Sequence, residues 1–313
     1  MNCMEEQIRI SAFRWLEQQT AIYGDVLPYQ LLQQGFDYQG ERVTIIGPQG
    51  IWKPKQLRLI PISITTAPNG PYDDYSDERG LIIYRYRGTD PYHRDNVGLR
   101  EAMRQTVPLI YFHGISNGKY FASWPIFVVN DNPAELSFTI AFDDHRSADL
   151  YSRQFTNSNS PNVFNEYIVQ EEADYRRHYT TSIIRSRLHQ SAFRVRVLEA
   201  YSEQCAFCRL RHPELLDAAH IIPDTDPRGI PSVTNGLSLC KIHHAAFDRN
   251  IIGVTPEYQI KVKEEVLKEI DGPMLKHGIQ QLHAQKIVLP HNKSLWPDQE
   301  KLEERYVHFV KAQ

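Results

Sequence analysis

Cys205-Ala-Phe-Cys208, Ala218-Ala219-His220-Ile221-Ile222-Pro223, Asn235-Gly236-Leu237 and Cys240-Lys241-Ile242-His243-His244 decide how the carboxy-terminal part of this chain folds. Cys205 and Cys208 form a C-x-x-C knuckle, and Cys240 with His243 repeats the same internal spacing. Four soft or borderline ligands in two such pairs can close a tetrahedron around zinc, which leaves no open position for chemistry. Paired spacing in a chain with no secretory pattern favours zinc over disulfides or inert buried thiols. Either of the adjacent histidines could face that ion; the C-x-x-H spacing assigns it to His243. His220, Asn235 and His244 are then left over for another task.

That order of His, Asn and His, set between and just after two metal knuckles, resembles the HNH endonuclease family over roughly residues 195 to 260. The resemblance implies a ββα-metal fold, a hairpin followed by a helix around one divalent ion. Leu215 to Pro223 would be the first strand, the segment around Asn235 would lead into the second, and Cys240 to Asn250 would be the helix. It also implies a catalytic set of His220, Asn235 and His244. His220 would be the general base, a role suited to an imidazole with an ordinary pKa of about 6.5. Asn235 would brace the loop and so orient His220, and His244 would hold the catalytic cation.

Many members carry an Asp directly before the first His, where this chain has Ala219. Asp248, one helical turn after His244, is a candidate replacement ligand, and Asp217 is a second. Asp248 could equally be an ordinary helix-surface carboxylate. The cation expected is Mg2+ or another hard or borderline divalent ion that keeps several waters.

The composition sets modest limits. A length of 313 residues accommodates two domains, and 41% hydrophobic residues is enough for real cores. A net charge of −3 excludes strong overall attraction to nucleic acid, so DNA contact must come from local clusters. One such cluster is Arg176, Arg177, Arg185, Arg187, Arg194 and Arg196. Each could grip phosphate or lie on a solvated helix surface. No apolar run is long enough to span a bilayer, and the amino terminus reads as an amphipathic helix from Met1 to Ile22 rather than a leader. A cytoplasmic protein without membrane partners is the expectation.

Between Arg42 and Asp144 the chain reads as β-rich. Val43–Ile46, Leu59–Thr65, Leu81–Tyr86, Leu109–Gly114, Tyr120–Val129 and Leu136–Phe142 are β-branched and aromatic runs separated by turn residues. The fold expected is α+β, with a curved sheet or partly open barrel ahead of the zinc-stapled nuclease domain. The polar stretch Thr156–Pro161 marks a boundary. It gives a DNA-reading domain over 1–155, a basic helical linker over 156–190 and the nuclease domain over 191–313.

Aromatic and basic residues interleave at Trp52-Lys53, at Arg85 and Arg87, and at His93-Arg94, a pattern suited to phosphate grip with base stacking. Trp52, Lys53, Arg85, Arg87, His93, Arg94, Arg194 and Arg196 are therefore the candidate DNA-binding residues. Alternation would put Arg85 and Arg87 on one strand face. The aromatics could also be sheet core.

A β-rich reader joined to such a nuclease resembles the modification-dependent, McrA-like restriction endonucleases. The implied substrate is double-stranded DNA carrying modified cytosine or a phosphorothioate backbone. The reader would flip the modified base or hold a sulfur-marked phosphate, and the residues do not choose between them. A single site cuts one strand at a time, so a homodimer is expected. Two other readings stay open: a catalytically inactive zinc-stapled DNA-binding protein, favoured by Ala219, and a nuclease toxin without preference for modified DNA. Beyond the nuclease helix, Ile251–Val254 and Tyr258–Val262 resemble a closing hairpin, and Asp298–Lys311 a helix with an apolar stripe.

Overall fold

The β-branched and aromatic runs of the amino-terminal half pair into one seven-stranded sheet. The computed structural model describes residues 3–68, 81–142, 184 and 186–312, and it divides into two units, 1–188 and 189–313. In the first unit the strands are β1 (Val26–Pro28), β2 (Phe36–Tyr38), β3 (Glu41–Val43), β4 (Ile51–Trp52), β5 (Ser63–Thr66), β6 (Ile82–Arg85), β7 (Leu109–Ser116), β8 (Lys119–Asn132) and β9 (Ser137–Phe142). The sheet runs β4-β5-β7-β8-β9-β6, with β1 also paired to β8, while β2 and β3 form a separate hairpin. Among the described residues, only the β5–β7 pairing in the sheet is parallel.

Both faces of this sheet are covered, which is why its strands read as nearly continuous apolar runs. Helix α1 (Cys3–Tyr23) lies over one face, where Ile8, Phe13 and Leu16 join Ile110, Phe112, Ala122 and Trp124, and the short α2 (Tyr29–Gln34) adds Leu32 to the same core. Helix α3 (Arg94–Arg104) lies over the other, where Leu99 and Ala102 join Leu109, Tyr111, Ile126 and Val128. Along β7 the odd and even residues divide regularly between the two cores. Along β8 they do not, because the pairing shifts between Leu109 and Tyr111 and inserts an extra β8 residue. Trp124 and Ile126, which a regular strand would put on one face, thus enter opposite cores. A second shift follows Val128, and the sheet curls into an open half-barrel. Buried Arg9 ties α1 to the chain ahead of β5 by donating to the carbonyls of Ile60 at 2.9 Å and Pro61 at 2.7 Å.

The second unit holds a short antiparallel hairpin, β10 (Leu216–His220) and β11 (Gly236–Cys240). Its register runs from Leu216 opposite Cys240 to His220 opposite Gly236. The helix Lys241–Asp248 follows β11 directly, so the ββα arrangement is present. Strand β10 is shorter than the apolar run Leu215–Pro223, because Pro213–Leu215 forms a 3-10 turn ahead of it and the chain leaves the ladder after His220. A closing hairpin, β12 (Ile252–Val254) and β13 (Ile260–Val262), comes next.

The carboxy-terminal helix Gln299–Lys311 starts at Asp298, whose side chain accepts from the backbone N–H of Glu300 and Lys301. Its Phe309 ring fills the space left by Gly253, where a Cβ would come within 2.6 Å of the ring. The 189–200 helix, β10, β11 and these later elements share one core.

The α+β expectation is met, and one local expectation is corrected. The segment around His93 and Arg94 is the start of α3. His93 Nδ1 accepts from the Asp95 N–H at the helix start, and Asp95 sits where the helix dipole favours an acid. Arg85 and Arg87 do not share a strand face. Strand β6 ends at Arg85, and beyond it the Arg87 N–H donates to the Asn96 side chain of α3 at 2.8 Å. Arg176, Arg177, Arg185 and most of residues 156–190 lie outside the described residues. Among the described residues, no helix is long and apolar enough to cross a membrane.

Candidate metal and nuclease site

The hairpin register separates two sites by its own length. Cys240 stands at one end of the five-residue ladder and His220 at the other, about 14 Å apart at the ordinary strand rise. What happens at the Cys240 end therefore cannot touch His220 directly.

At the Cys240 end, one ligand atom from each of Cys205, Cys208, Cys240 and His243 lies within 4.8 Å of all the others. His243 Nδ1 is 3.4 Å from Cys205 Sγ and 3.2 Å from Cys240 Sγ. On the far side of the ring, His243 Nε2 meets the Gly278 carbonyl at 2.7 Å. A proton held on Nε2 by that carbonyl leaves the Nδ1 lone pair facing the sulfurs, which is how a histidine ligand is normally oriented. The Cys205–Cys208 turn is closed by Arg209 N–H to the Cys205 carbonyl at 2.9 Å and by Cys205 N–H to the Leu210 carbonyl at 2.9 Å. Three of the four groups are buried and Cys208 is exposed, and Cys205, Cys208 and Cys240 form no disulfide. Three sulfurs and an imidazole nitrogen so gathered fit a metal ion of tetrahedral preference.

At the other end, His220 lies against the ring of Phe193, with centroids 4.0 Å apart and planes 19° from parallel. Burial lowers its pKa below the ordinary histidine value, partly offset by the nearby Asp224 carboxylate. The imidazole therefore favours the neutral form, in which one nitrogen can accept a proton. Its Nε2 is shielded from solvent and has no hydrogen-bond partner among the described residues. The loop that follows is held by Asn235, which is fully buried. The Asn235 side chain accepts from the Ile222 N–H at 3.0 Å, and donates to the carbonyls of Ile222 at 3.0 Å and Ile230 at 3.2 Å. The Asn235 carbonyl also accepts from the Ile221 N–H at 2.9 Å.

Consecutive helix residues point about 100° apart, so His244 turns away from the cluster that His243 joins. Its Nδ1 lies 3.5 Å from an Asp217 oxygen, and its Nε2 lies 3.2 Å from an Asp248 oxygen. The hydrogen bond to Asp217 raises the His244 pKa, against the effect of burial and with help from Asp248. For Asp217, burial pushes the carboxyl up, but His244 and Arg194 outweigh it and the net shift is down. The two carboxylates meet opposite edges of the imidazole. Asp217, and not Asp248, lines the same cleft as His220. That cleft has a volume of about 340 Å³, and Phe193, Arg194 and Asp224 also border it.

The sequence candidates for DNA contact are distributed less favourably. Arg194 donates to the carbonyls of Pro213 at 2.8 Å and Leu216 at 2.9 Å, and its Nε is 3.6 Å from Asp217. It borders the cleft while already engaged by the fold. Arg196 is exposed. Trp52 is half-buried, bonds the Thr44 carbonyl at 3.1 Å and covers Gly47, so it packs rather than projects. Lys53 reaches the Leu57 carbonyl at 2.9 Å. Arg87 is ion-paired with Asp95, and His93 caps the helix on which Asp95 stands. Arg94 is 79% exposed and Arg85 is exposed, bonded to the Glu135 carbonyl at 3.1 Å. The reading of interleaved cations as open phosphate contacts missed Asp95, which draws Arg87, Arg94 and His93 toward itself. Phe193 was missed altogether, because its position beside His220 depends on tertiary packing.

Residues 205–255 match the family model HNH_2, described as HNH endonuclease. No curated protein matches the chain. Among solved structures, a "Modification dependent TagI restriction endonuclease" is 14% identical over 80% of this chain and 81% of its own, with a TM-score of 0.29. At that TM-score the likeness carries no argument about fold or activity.

The ligand cluster makes a direct prediction. Elemental analysis of the purified chain should find one firmly held metal ion at this cluster. Cys205→Ser should lose it, together with the cooperative melting of residues 189–313, since a small metal-stapled module folds on its ion. Cooperative melting of that unit in a metal-free variant would overturn the staple.

Proposed function

We propose that this chain, in which residues 205–255 carry an HNH endonuclease domain, is a metal-dependent DNA endonuclease directed to modified duplexes by its amino-terminal domain. The observation that carries the nuclease reading is the hairpin register. It brings His220, whose imidazole favours the neutral form, to a cleft that Asp217 shares, and Asp217 in turn contacts His244. We read the Cys205, Cys208, Cys240 and His243 cluster as a structural zinc site, on its donor set.

For the catalytic cation, Mg2+ or another divalent ion, the ligands would be His244 through Nδ1 and Asp217. The ion would stabilise charge building on the phosphate and on the departing oxygen. Asp217 supplies the carboxylate that Ala219 does not. Asp248 is assigned to the Nε2 edge of His244, where a carboxylate fixes the tautomer and the ring orientation. His220 accepts the proton of the attacking water, and Asn235 holds the loop after His220 so that the ring keeps its place. The Asp217 contact weighs against an inactive binding protein, since it restores a carboxylate to the site.

The modification-directed part of the proposal rests on a separate β-rich unit in which none of these nuclease residues stands. It covers the residues described within 1–155, with 156–190 as linker and 191–313 as the nuclease domain. Double-stranded DNA is the partner, and two copies of the chain are required for a double-strand break.

Matched duplexes that are unmodified, cytosine-modified or phosphorothioated, incubated with Mg2+ or Mn2+, test this reading. Selective cutting of a modified duplex, abolished by His220→Ala with DNA binding retained, is the expected result. Equal cutting of all duplexes would favour the toxin reading, and no cutting would favour the binding-only one. Between the carboxylates, Asp217→Asn should lower cutting more than Asp248→Asn and raise the cation concentration needed. The reverse order would move the ligand assignment to Asp248. The pH dependence has a definite sign: His220 must be neutral to act, and burial lowers its pKa. Activity should therefore persist below the ordinary histidine value and fall as pH drops through the lowered one. An acid limb above about 6.5 would contradict this assignment.

A further inference from the structure

His220 is paired across the ladder with Gly236. Directly opposed residues in an antiparallel pair send their side chains to the same face, close together. Glycine at 236 leaves the place beside His220 open, and the ring of Phe193 takes it. A Cβ at 236 would stand 2.9 Å from Phe193 Cζ and 2.5 Å from Val197 Cγ2, so no larger residue fits while Phe193 is there. Phe193 is 2% exposed and belongs to the core that holds Val197, Leu198 and Tyr201 of the same chain segment, at helical spacing. Burial alone would be satisfied by any large apolar residue. It does not require a flat ring 4.0 Å from the imidazole centroid and 19° from parallel to it.

We infer that Phe193, outside the residues matched by the HNH family model, is a positioning residue for the base: its ring, seated in the slot left by Gly236, fixes the plane of the His220 imidazole in the cleft. The inference rests on the proposed role of His220. The stack restricts rotation of His220 about its last side-chain torsion, a broad and soft one, while Asn235 fixes the backbone just after it. Together they set both the place and the tilt of the ring. Small errors of placement are costly in such steps, since about 1 Å can lose on the order of 100-fold in rate.

Single-turnover cleavage by full-length Phe193→Leu, Phe193→Tyr and His220→Ala, with metal content and DNA affinity measured alongside, separates positioning from packing. Phe193→Leu keeps an apolar side chain without a ring. It should bind metal and DNA as the wild type does and cut about tenfold more slowly or worse. Phe193→Tyr keeps the ring and should restore most of the rate, whereas a role in packing alone would favour Leu over a hydroxyl introduced into the core. Cutting by Phe193→Leu within about twofold of wild type, while His220→Ala is inactive, overturns the inference.

The second readout needs no active enzyme. In proton NMR of the unmutated chain, the His220 ring signals, assigned by their loss in His220→Ala, should be shifted upfield by the Phe193 ring. Absence of that shift also overturns the inference, even if Phe193→Leu fails to fold. If instead the shift is present but His220→Ala cuts normally, the fault lies with the nuclease role of His220 and not with the stack.

Discussion

Everything in the carboxy-terminal unit depends on the pairing of β10 with β11. A two-stranded hairpin is marginal in water by itself, and this one has five residue pairs. It joins the ligand cluster at its Cys240 end and packs along its length on a core that includes Leu216, Ala219, Leu237 and Leu239. A slip of one residue would exchange the two faces of each strand. It would also take Gly236 away from His220 and Cys240 away from the knuckle. The ladder thus couples a folding requirement at one end to a geometric requirement at the other.

Adjacent histidines divide the work of the helix Lys241–Asp248. His243, beside two cysteines and a backbone carbonyl, sits in a buried setting. His244 lies between two carboxylates, one of which, Asp217, lines the cleft. The rotation between neighbouring helix residues alone sends them to different surroundings. The end of that helix is also fixed, since Arg305 donates to the Phe247 carbonyl at 2.7 Å and lies over the Phe247 ring at 4.8 Å. Asp248, at the last turn, is therefore held by an element almost sixty residues away in sequence, which suits an orienting carboxylate better than a mobile surface one.

What could be read in the sequence was what is local in the chain. The ligand pairs span four residues each, and the hairpin, its helix and the β runs of the amino-terminal half follow from patterns of a few residues. Helix α3 was not legible, because Arg94–Arg104 presents only a narrow apolar stripe and its start is set by His93 and Asp95 rather than by a Ser or Thr cap. The contact of Asp217 with His244 depends on how the helix folds back on β10, and the stack of Phe193 on His220 depends on a glycine sixteen residues from the histidine. Spacing rules carry no information about either. Trp52 shows the converse: an aromatic beside a lysine reads as a binding pair, yet its ring is committed to Gly47 and Thr44.

The charge distribution bears on how such an enzyme could find its substrate. Non-specific affinity for DNA grows with the number of phosphates neutralised and is lost steeply as salt rises. Here the net charge is −3, Arg87 is paired with Asp95, Arg100 with Asp131 at 2.6 Å, and Arg194 with two carbonyls and Asp217. Cations held this way cannot turn toward phosphates without giving up partners inside the fold. These three arginines add little to general attraction for duplex, and among the described residues non-specific grip falls to exposed cations such as Arg85, Arg94 and Arg196. Under the reading we propose, so few open contacts would leave recognition of a chemical mark to decide where the nuclease acts.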